Sequence, residues 1–446
     1  MKRDKGRFTR REFLKTTGTA MAGATLATGA LGPLAGRAFG AVEPPELPIE
    51  KGAVLKVLRW SPFVKSDGEW WDKNTRKWEK VTGCKVITEY VSWEDVRPKA
   101  AMEASVGAGH DIVSGWHDDP QIYPDKLLDV SDICEYLGKK YGGWEDVCFK
   151  YALKDGRWIA VPMGAPGQAI VYRKSWVNEA GYETVPRDVE GFIKLCKKLK
   201  SIGHPVGFAM GHAVGDGNNW AHSWLWAFGA MTVDKDGNVV INSPETRNAL
   251  EAMKDLYDNA MISGVASWLD PHNNKAYFAN QISLTNNGIS IYYVAKAKFP
   301  KIADDTYHAY LPIGPAGRPT ELHLFNQAFI FKHTRFPNAA KHYLMFMLEK
   351  EQCAPWTNAM RGYVTPALKA YRNLPVWTED PKHTPYRDCV KNMLWNGYAG
   401  PVGPASAAVM AEYIVVDLFA NYCARGVSMK KAIEEAEKAI ARYYKG

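Results

Sequence analysis

The chain has 446 residues, 46% of them hydrophobic and 23% charged, enough to bury the core of two or three domains or of one large two-lobed body. That composition excludes a disordered chain and a disulfide-framework scaffold. The formal charge of +8 is concentrated at one end, since residues 1–40 hold eight Lys and Arg against two acidic side chains and leave +2 for the rest, too nearly neutral a body for the basic stripe of a nucleic-acid partner.

The basic start reads as an address. Thr9-Arg10-Arg11-Glu12-Phe13-Leu14-Lys15 matches the twin-arginine export pattern at every position and resembles a bacterial Tat signal peptide. Residues 16–36 follow without a charge, with five Gly and six Ala against three Leu, too weakly apolar for a spanning helix. Ala38 and Gly40 suggest cleavage near residue 40, so 1–40 is assigned as signal and 41–52 as a Pro-rich linker. The mature protein is expected in the periplasm, with the Tat translocase as its partner during export.

An apolar run predicts a strand over 53–60, and 69–82 predicts a helix that stops at Gly83. A strand over 84–91, a helix over 95–106 and a short strand over 111–115 follow, an alternation that implies a parallel sheet. Asp155-Gly156 between apolar runs predicts a hairpin, as does Asp236-Gly237. Residues 168–172 read as a strand entering a new unit and 192–200 as a helix. Ser243 caps a helix with Pro244 at its first position, running to about Met261. Strands over 282–285 and 325–331 and helices over 338–349, 407–424 and 430–444 complete the pattern. The seven cysteines, at 84, 134, 148, 196, 353, 389 and 423, include no Cys-x-x-Cys pair. Cys134 and Cys148 are the nearest candidates for a disulfide in an oxidising compartment, with buried free thiols as the alternative.

Several motifs in order resemble the extracellular solute-binding proteins of ABC importers, in the carbohydrate-binding, maltose-binding-like group. They are Asp129-Val130-Ser131-Asp132, Asp155-Gly156 with Val161-Pro162, Asn242-Ser243-Pro244-Glu245, Phe336-Pro337-Asn338-Ala339-Ala340, and Gly362 with Pro366. The resemblance implies a two-lobed α/β periplasmic binding protein fold, each lobe a mainly parallel sheet flanked by helices. It implies a ligand held between the lobes, delivery to a membrane permease, no catalysis and no cofactor, in a monomer. The lobes are expected as 53–164 plus 270–322 and 165–269 plus 323–446. Crossings are expected near 162–167, 267–272 and 318–326, with Gly164, Pro166 and Gly167 as the hinge.

In open α/β sheets ligands sit at the carboxyl ends of strands. Three predicted strands run into Trp60, Trp93 and Trp116. An indole suits the apolar face of a sugar ring, while polar side chains such as Asp118 suit its hydroxyl rim. In the second lobe, Asn219, Trp220 and Trp224 lie near the polar start of a helix, with Trp226 turned toward the core. Ser61, His117, Asn287, Asn326 and Trp356 complete the candidate set. Asn286-Asn287-Gly288 matches the turn before the aromatic platform of the family, but Ser290 stands where such proteins often place Trp. Tyr292 is the candidate replacement, and the Tyr292-Tyr293 pair opens an alternative, a ferric-ion receptor with phenolate ligands. A glycan-active enzyme is the other alternative, with Asp118 or Asp119 as a carboxylate. His-Glu-x-x-His, Gly-x-Ser-x-Gly, Walker and Gly-x-Gly-x-x-Gly patterns do not occur in the sequence.

Overall fold

The computed structural model describes residues 42–444. The twin-arginine motif and the expected cleavage site lie outside the described residues. Among those residues no helix is long and apolar enough to cross a membrane.

The first half follows the predicted alternation. Strand β1 (Val54–Trp60), a helix over Lys65–Thr82, β2 (Lys85–Val91), a helix over Trp93–Val106 and β3 (Ile112–Trp116) succeed one another. β1 lies between β2 and β3 and is parallel to both. A hairpin of β4 (Leu153–Lys154) and β5 (Arg157–Trp158) turns on Asp155 and Gly156, at φ 49° and 77°, the paired positive angles of a type I′ turn. β6 (Val161–Ala165) closes the first half, and β7 (Ala169–Arg173) opens the second body.

β7 is the centre of a three-stranded sheet with β8 (Leu284–Asn287) and β9 (Thr306–Ala309), antiparallel to both. The chain then returns. β10 (Asn326–Ile330) inserts between β3 and β6, and β11 (Thr365–Pro366) pairs outside β6, giving a first sheet ordered β11-β6-β10-β3-β1-β2. β10 runs antiparallel to β3 and β6 because it enters from the other lobe. The sheets are therefore mixed and antiparallel rather than mainly parallel, within the expected two-lobed α/β architecture.

The lobe boundaries also need correction. Residues 284–287 and 306–309 belong with the second sheet, and 326–330 with the first, the reverse of the assignment expected for 270–322 and 323–446. The chain crosses between lobes at 166–168 and again between β9 and β10. A third passage runs from the first core at Leu394 to the second at Val409. The expected crossing at 267–272 instead leads within the second lobe into the helix Asp270–Phe278.

Alternation along β7 sorts the two cores. Ala169 and Val171 face the large core that runs beneath the first sheet, whereas Ile170 and Tyr172 face the second, filled by Phe192, Trp224, Leu250 and Phe419. The helix Asp216–Ala227 is buried along its whole length, so it is wrapped rather than amphipathic. Ser243 caps Pro244–Asn259 as expected, its hydroxyl accepting from Thr246 N–H at 3.2 Å. The helix expected over 407–424 is two, Pro404–Ala411 and Ile414–Cys423, broken at Tyr413 with φ 55°. Asp236-Gly237 makes a turn with one bridge, Val233 to Val239, and no strands. All seven cysteines are free and buried, so Cys134 and Cys148 are not bridged. The Cys134 thiol points to the Ala160 carbonyl at 3.6 Å, and burial pushes both thiols far above their ordinary pKa.

Candidate ligand-binding cleft

Where the two lobes face each other there is an opening of about 50 Å³. Phe63, Trp93 and Tyr363 come to it from the first lobe, and Pro166 and Gln168 from the first crossing. The second lobe supplies Asp216, Asp270, Asn274, Asn287 and Ser290. One wall is thus aromatic and the other polar. A second opening of about 210 Å³ shares Trp93 and is lined by Glu94, Arg97, Trp116, His117, Asn218 and Tyr413.

The aromatic wall is a stack. Trp93 lies flat on Trp116 with ring centroids 4.4 Å apart and planes 16° apart, and Trp60 lies beneath, 4.5 Å from Trp116. Trp93 is half-buried and reaches both openings, with its indole N–H held by the Ser61 carbonyl at 3.2 Å. Trp60 is 1% exposed and serves as the base of the stack, not as a contact. Phe63 flanks Trp93 at 5.3 Å.

The polar wall is a continuous network. Asp216 sits in the first turn of its helix and accepts from Gln168 Nε2 at 2.5 Å and from Asn273 Nδ2 at 2.7 Å. Asn286 donates to Gln168 Oε1 at 2.7 Å, which fixes the amide of the crossing segment. Asp270 Oδ1 accepts the backbone N–H groups of Gly215 and Asp216 at 3.0 and 2.8 Å, at the positive end of the same helix. Asn274, Asn287 and Ser290 close a ring of side-chain hydrogen bonds at 2.5, 3.2 and 3.2 Å. Burial pushes both carboxyls above the usual carboxylate range, and the charge of Asp270 adds to the effect on Asp216.

Of the expected residues, Trp93 and Asn287 line the first opening, and Trp93, Trp116 and His117 the second. The His117 ring is tied to the His323 carbonyl at 3.0 Å, and burial drops its pKa to about 3, so it is neutral. Asp118 is no ligand contact. It is fully buried, its Oδ1 takes Arg97 at 3.1 Å and its Oδ2 takes Ser406 Oγ at 2.8 Å and the Asn396 amide. Asp119 holds the same guanidinium at 2.5 Å and the Trp116 N–H at 2.7 Å. The group ties the end of β3 to the third lobe passage.

Trp220 and Trp224 belong to the second core. Trp220 stacks on Phe208 at 4.1 Å, and Trp224 donates to the Ala249 carbonyl at 3.0 Å. Asn219 is buried and lines neither opening. The helix does open on the cleft, but through Asp216 at its first residue. Tyr292 gives its hydroxyl to Asp380 at 2.7 Å and lines neither opening, so it replaces no platform and presents no phenolate there. Among the described residues no group of three or more His, Cys, Asp or Glu is arranged to hold a metal. Asn326 is spent on the Gly115 carbonyl at 2.9 Å, and Trp356 on Asp67 at 2.9 Å, both inside the first lobe. Ser61 is exposed and acts through its backbone, bonded to Val91. Gly164 sits inside β6, where an added Cβ would lie 2.3 Å from the Thr365 carbonyl oxygen, and is a sheet position, not a free hinge. Pro166 and Gly167 do lie in the crossing.

Phe63, Asp216, Asp270, Asn274, Ser290 and Tyr363 were not among the expected residues. Asp216 and Asp270 each begin a helix, the signal by which they could have been found. Ser290, standing where the family often has Trp, leaves the floor of the opening polar.

Residues 75–385 match the model of the bacterial extracellular solute-binding protein family. A binding protein of Brucella abortus (strain 2308) is 20% identical over 60% of this chain, and the match spans 66% of that relative's length, just under two thirds. The diacetylchitobiose binding protein DasA of Streptomyces coelicolor is 24% identical over 44% of this chain and 46% of its own. Among solved structures, the maltose-bound MalE3 of T. maritima superposes with a TM-score of 0.74 at 20% identity, covering 87% of this chain and 100% of that one. The GacH receptor of Streptomyces glaucescens, solved unliganded and with acarbose, gives 0.73 at 16% identity over 88% and 99%. A solute-binding protein of Agrobacterium vitis S4 with bound D-mannitol gives 0.72 at 14% over 88% and 98%. With the two-lobed fold and the inter-lobe cleft beside the match over residues 75–385, the chain belongs to the bacterial extracellular solute-binding proteins.

Proposed function

We propose that the protein is the exported receptor of an ABC importer, capturing a small carbohydrate or polyol between its lobes and handing it to a membrane permease. The observation that carries this is the pairing, across the first opening, of Trp93 and Phe63 with the hydrogen-bonded ring Asn274, Asn287 and Ser290. Indole faces suit the C–H faces of a sugar, and amides and hydroxyls that both donate and accept suit its hydroxyls. That structural neighbours were solved with maltose, acarbose and D-mannitol supports the same chemistry. The ligand contacts are Phe63, Trp93, Asp216, Asp270, Asn274, Asn287 and Ser290. The protein acts as a monomer in the periplasm, reaches it through its twin-arginine signal, and performs no chemistry on what it binds.

A melting-temperature screen of mono- and disaccharides and sugar alcohols tests this. A ligand at 100 times its dissociation constant stabilises the protein by about 2.7 kcal/mol. A shift with at least one of these compounds, with no release of chromophore from nitrophenyl glycosides, is the expected result. Turnover of those glycosides would replace the receptor reading by an enzyme.

A further inference from the structure

The cleft has a charge that its sugar-binding features do not require. Asp216 and Asp270 line the first opening, and no Lys, Arg or His lines it with them. Asp216 is 7% exposed and its two oxygens are met only by the neutral amides of Gln168 and Asn273. Glu94 faces the second opening, on the far side of Trp93. The cation lining that side is Arg97, already shared between Asp118 and Asp119. The second opening holds buried polar atoms without partners, open to the neutral part of a ligand that passes Trp93. Asn218, 3% exposed, lines the second opening with a side-chain oxygen that accepts no hydrogen bond. Beside it, the Trp116 indole N–H is a buried donor without an acceptor, suited to a sugar hydroxyl.

We propose that the ligand is a carbohydrate or polyol bearing a protonated amine, its ammonium held between the aromatic wall of Trp93 and Phe63 and the carboxylates of Asp216 and Asp270. The inference rests on the carbohydrate reading above and adds the charge of the ligand. An ammonium is a donor without acceptors, which matches carboxylate oxygens that lack a cation. It is also attracted to the faces of Trp and Phe, more strongly where water is displaced. Burial without a counter-charge raises the pKa of both carboxyls, and an ammonium placed beside them would favour their ionised form. A phosphate or uronic acid would set like charges together in a cleft with no free cation, which is a strong selection against it.

Calorimetric titration at pH 7 with a matched set tests the proposal: glucosamine, glucose and glucuronic acid, then the fully deacetylated and the diacetylated chitobiose pair. Within whichever size class binds, the amine-bearing form is expected to bind at least tenfold more tightly than its neutral counterpart, with no binding of the acid. Asp270→Asn and Asp216→Asn are expected to cut the amine-to-neutral affinity ratio at least fivefold. Two variants are made because Asp216 is deeply buried, and melting curves identify any that fails to fold. Neutral forms binding as tightly as amines, or a ratio unchanged in a folded variant, would overturn the charge inference and leave the carbohydrate reading standing. A protein that binds none of the set but shifts with another neutral sugar or polyol of the melting screen would overturn the charge inference alone, and one that responds to neither would overturn both.

Discussion

Trp93 and Trp224 show how one residue type divides between contact and core. Trp93 stands half-buried at the face of the cleft, whereas Trp224 is sealed in the second lobe with its indole N–H on a carbonyl. Trp93→Ala is therefore expected to weaken binding of the ligand found in the screen 10- to 100-fold, about 1.4–2.7 kcal/mol, with little loss of melting temperature. Trp224→Ala should cost about 3–5 kcal/mol of stability by denaturant unfolding. Equal destabilisation by both would remove Trp93 from the cleft wall. His222 carries a different expectation. Burial holds its pKa at about 4, with the Asn218 carbonyl 2.9 Å from Nδ1. Below its ordinary value near 6.5 the unfolded chain binds a proton that the folded chain refuses, so stability falls as the pH drops from 6.5 to 4. The slope from this one group is at most about 1.4 kcal/mol per pH unit. His222→Gln should lose less stability than the parent over that interval, as read by melting curves at each pH. At this scale Trp93 was legible, because Trp ends predicted strands, whereas Phe63 and Tyr363 were not. The carboxylate half was not, because Asp216 and Asp270 look in sequence like ordinary helix starts, and only the return of the chain brings them to one opening.

Elements whose boundaries are written locally came out close to their predicted ranges. The helices before Gly83 and Gly107, the Asp155-Gly156 hairpin and the Ser243 cap depend on neighbours a few residues away. Elements that depend on distant partners did not. β9 has four residues and no strong pattern, and exists because β7 lies beside it. The break at Tyr413 falls inside an apolar run that reads as one helix. β6 was read as a crossing because Pro162 and Gly164 look like loop residues. In the sheet, Gly164 lies opposite Pro366 of β11 with φ 142°, and its missing side chain lets the Thr365 carbonyl approach. Gly164→Ala is expected to destabilise the protein by more than about 1 kcal/mol in denaturant titration, since both the backbone angle and the contact oppose a Cβ. A neutral result would show that β11 can move away without cost.

For the whole molecule, the crossings near 162–167 and 318–326 were legible, whereas the one expected at 267–272 and the sheet to which the strands belong were not. A strand that leaves one lobe and pairs in the other has no local mark of it, so β8, β9 and β10 were given to the wrong sheets. The crossings at 166–168 and between β9 and β10, with the passage from Leu394 to Val409, are the segments about which the lobes would turn in a hinge closure. A ligand touching Trp93 on one lobe and Asn287 on the other favours the closed arrangement through that double contact alone. Solution scattering should record a smaller radius of gyration with ligand than without, and identical curves at saturation would rule out closure. The Asp118 cluster, which joins β3 to the third passage, is expected to resist that motion. Asp118→Asn should loosen the tie from Arg97 to Ser406 and Asn396 and enlarge the radius of the unliganded protein.

The seven sealed thiols make the molecule its own stopwatch. Five of them, at 84, 134, 148, 353 and 389, lie in the core of the first lobe, and two, at 196 and 423, in that of the second. A thiol-alkylating reagent should leave all seven untouched in the resting protein and mark each at the rate at which its surroundings open. Mass spectrometry of the timed products would then separate the breathing of one lobe from that of the other without any engineered label. Cys389 is the most informative of the set, because it packs against Gly167 in the first crossing, where an added Cβ would lie 2.5 Å from its sulfur. Its labelling rate reads the motion of the strap that joins the lobes, and a ligand that closes the cleft should slow that rate more than any other.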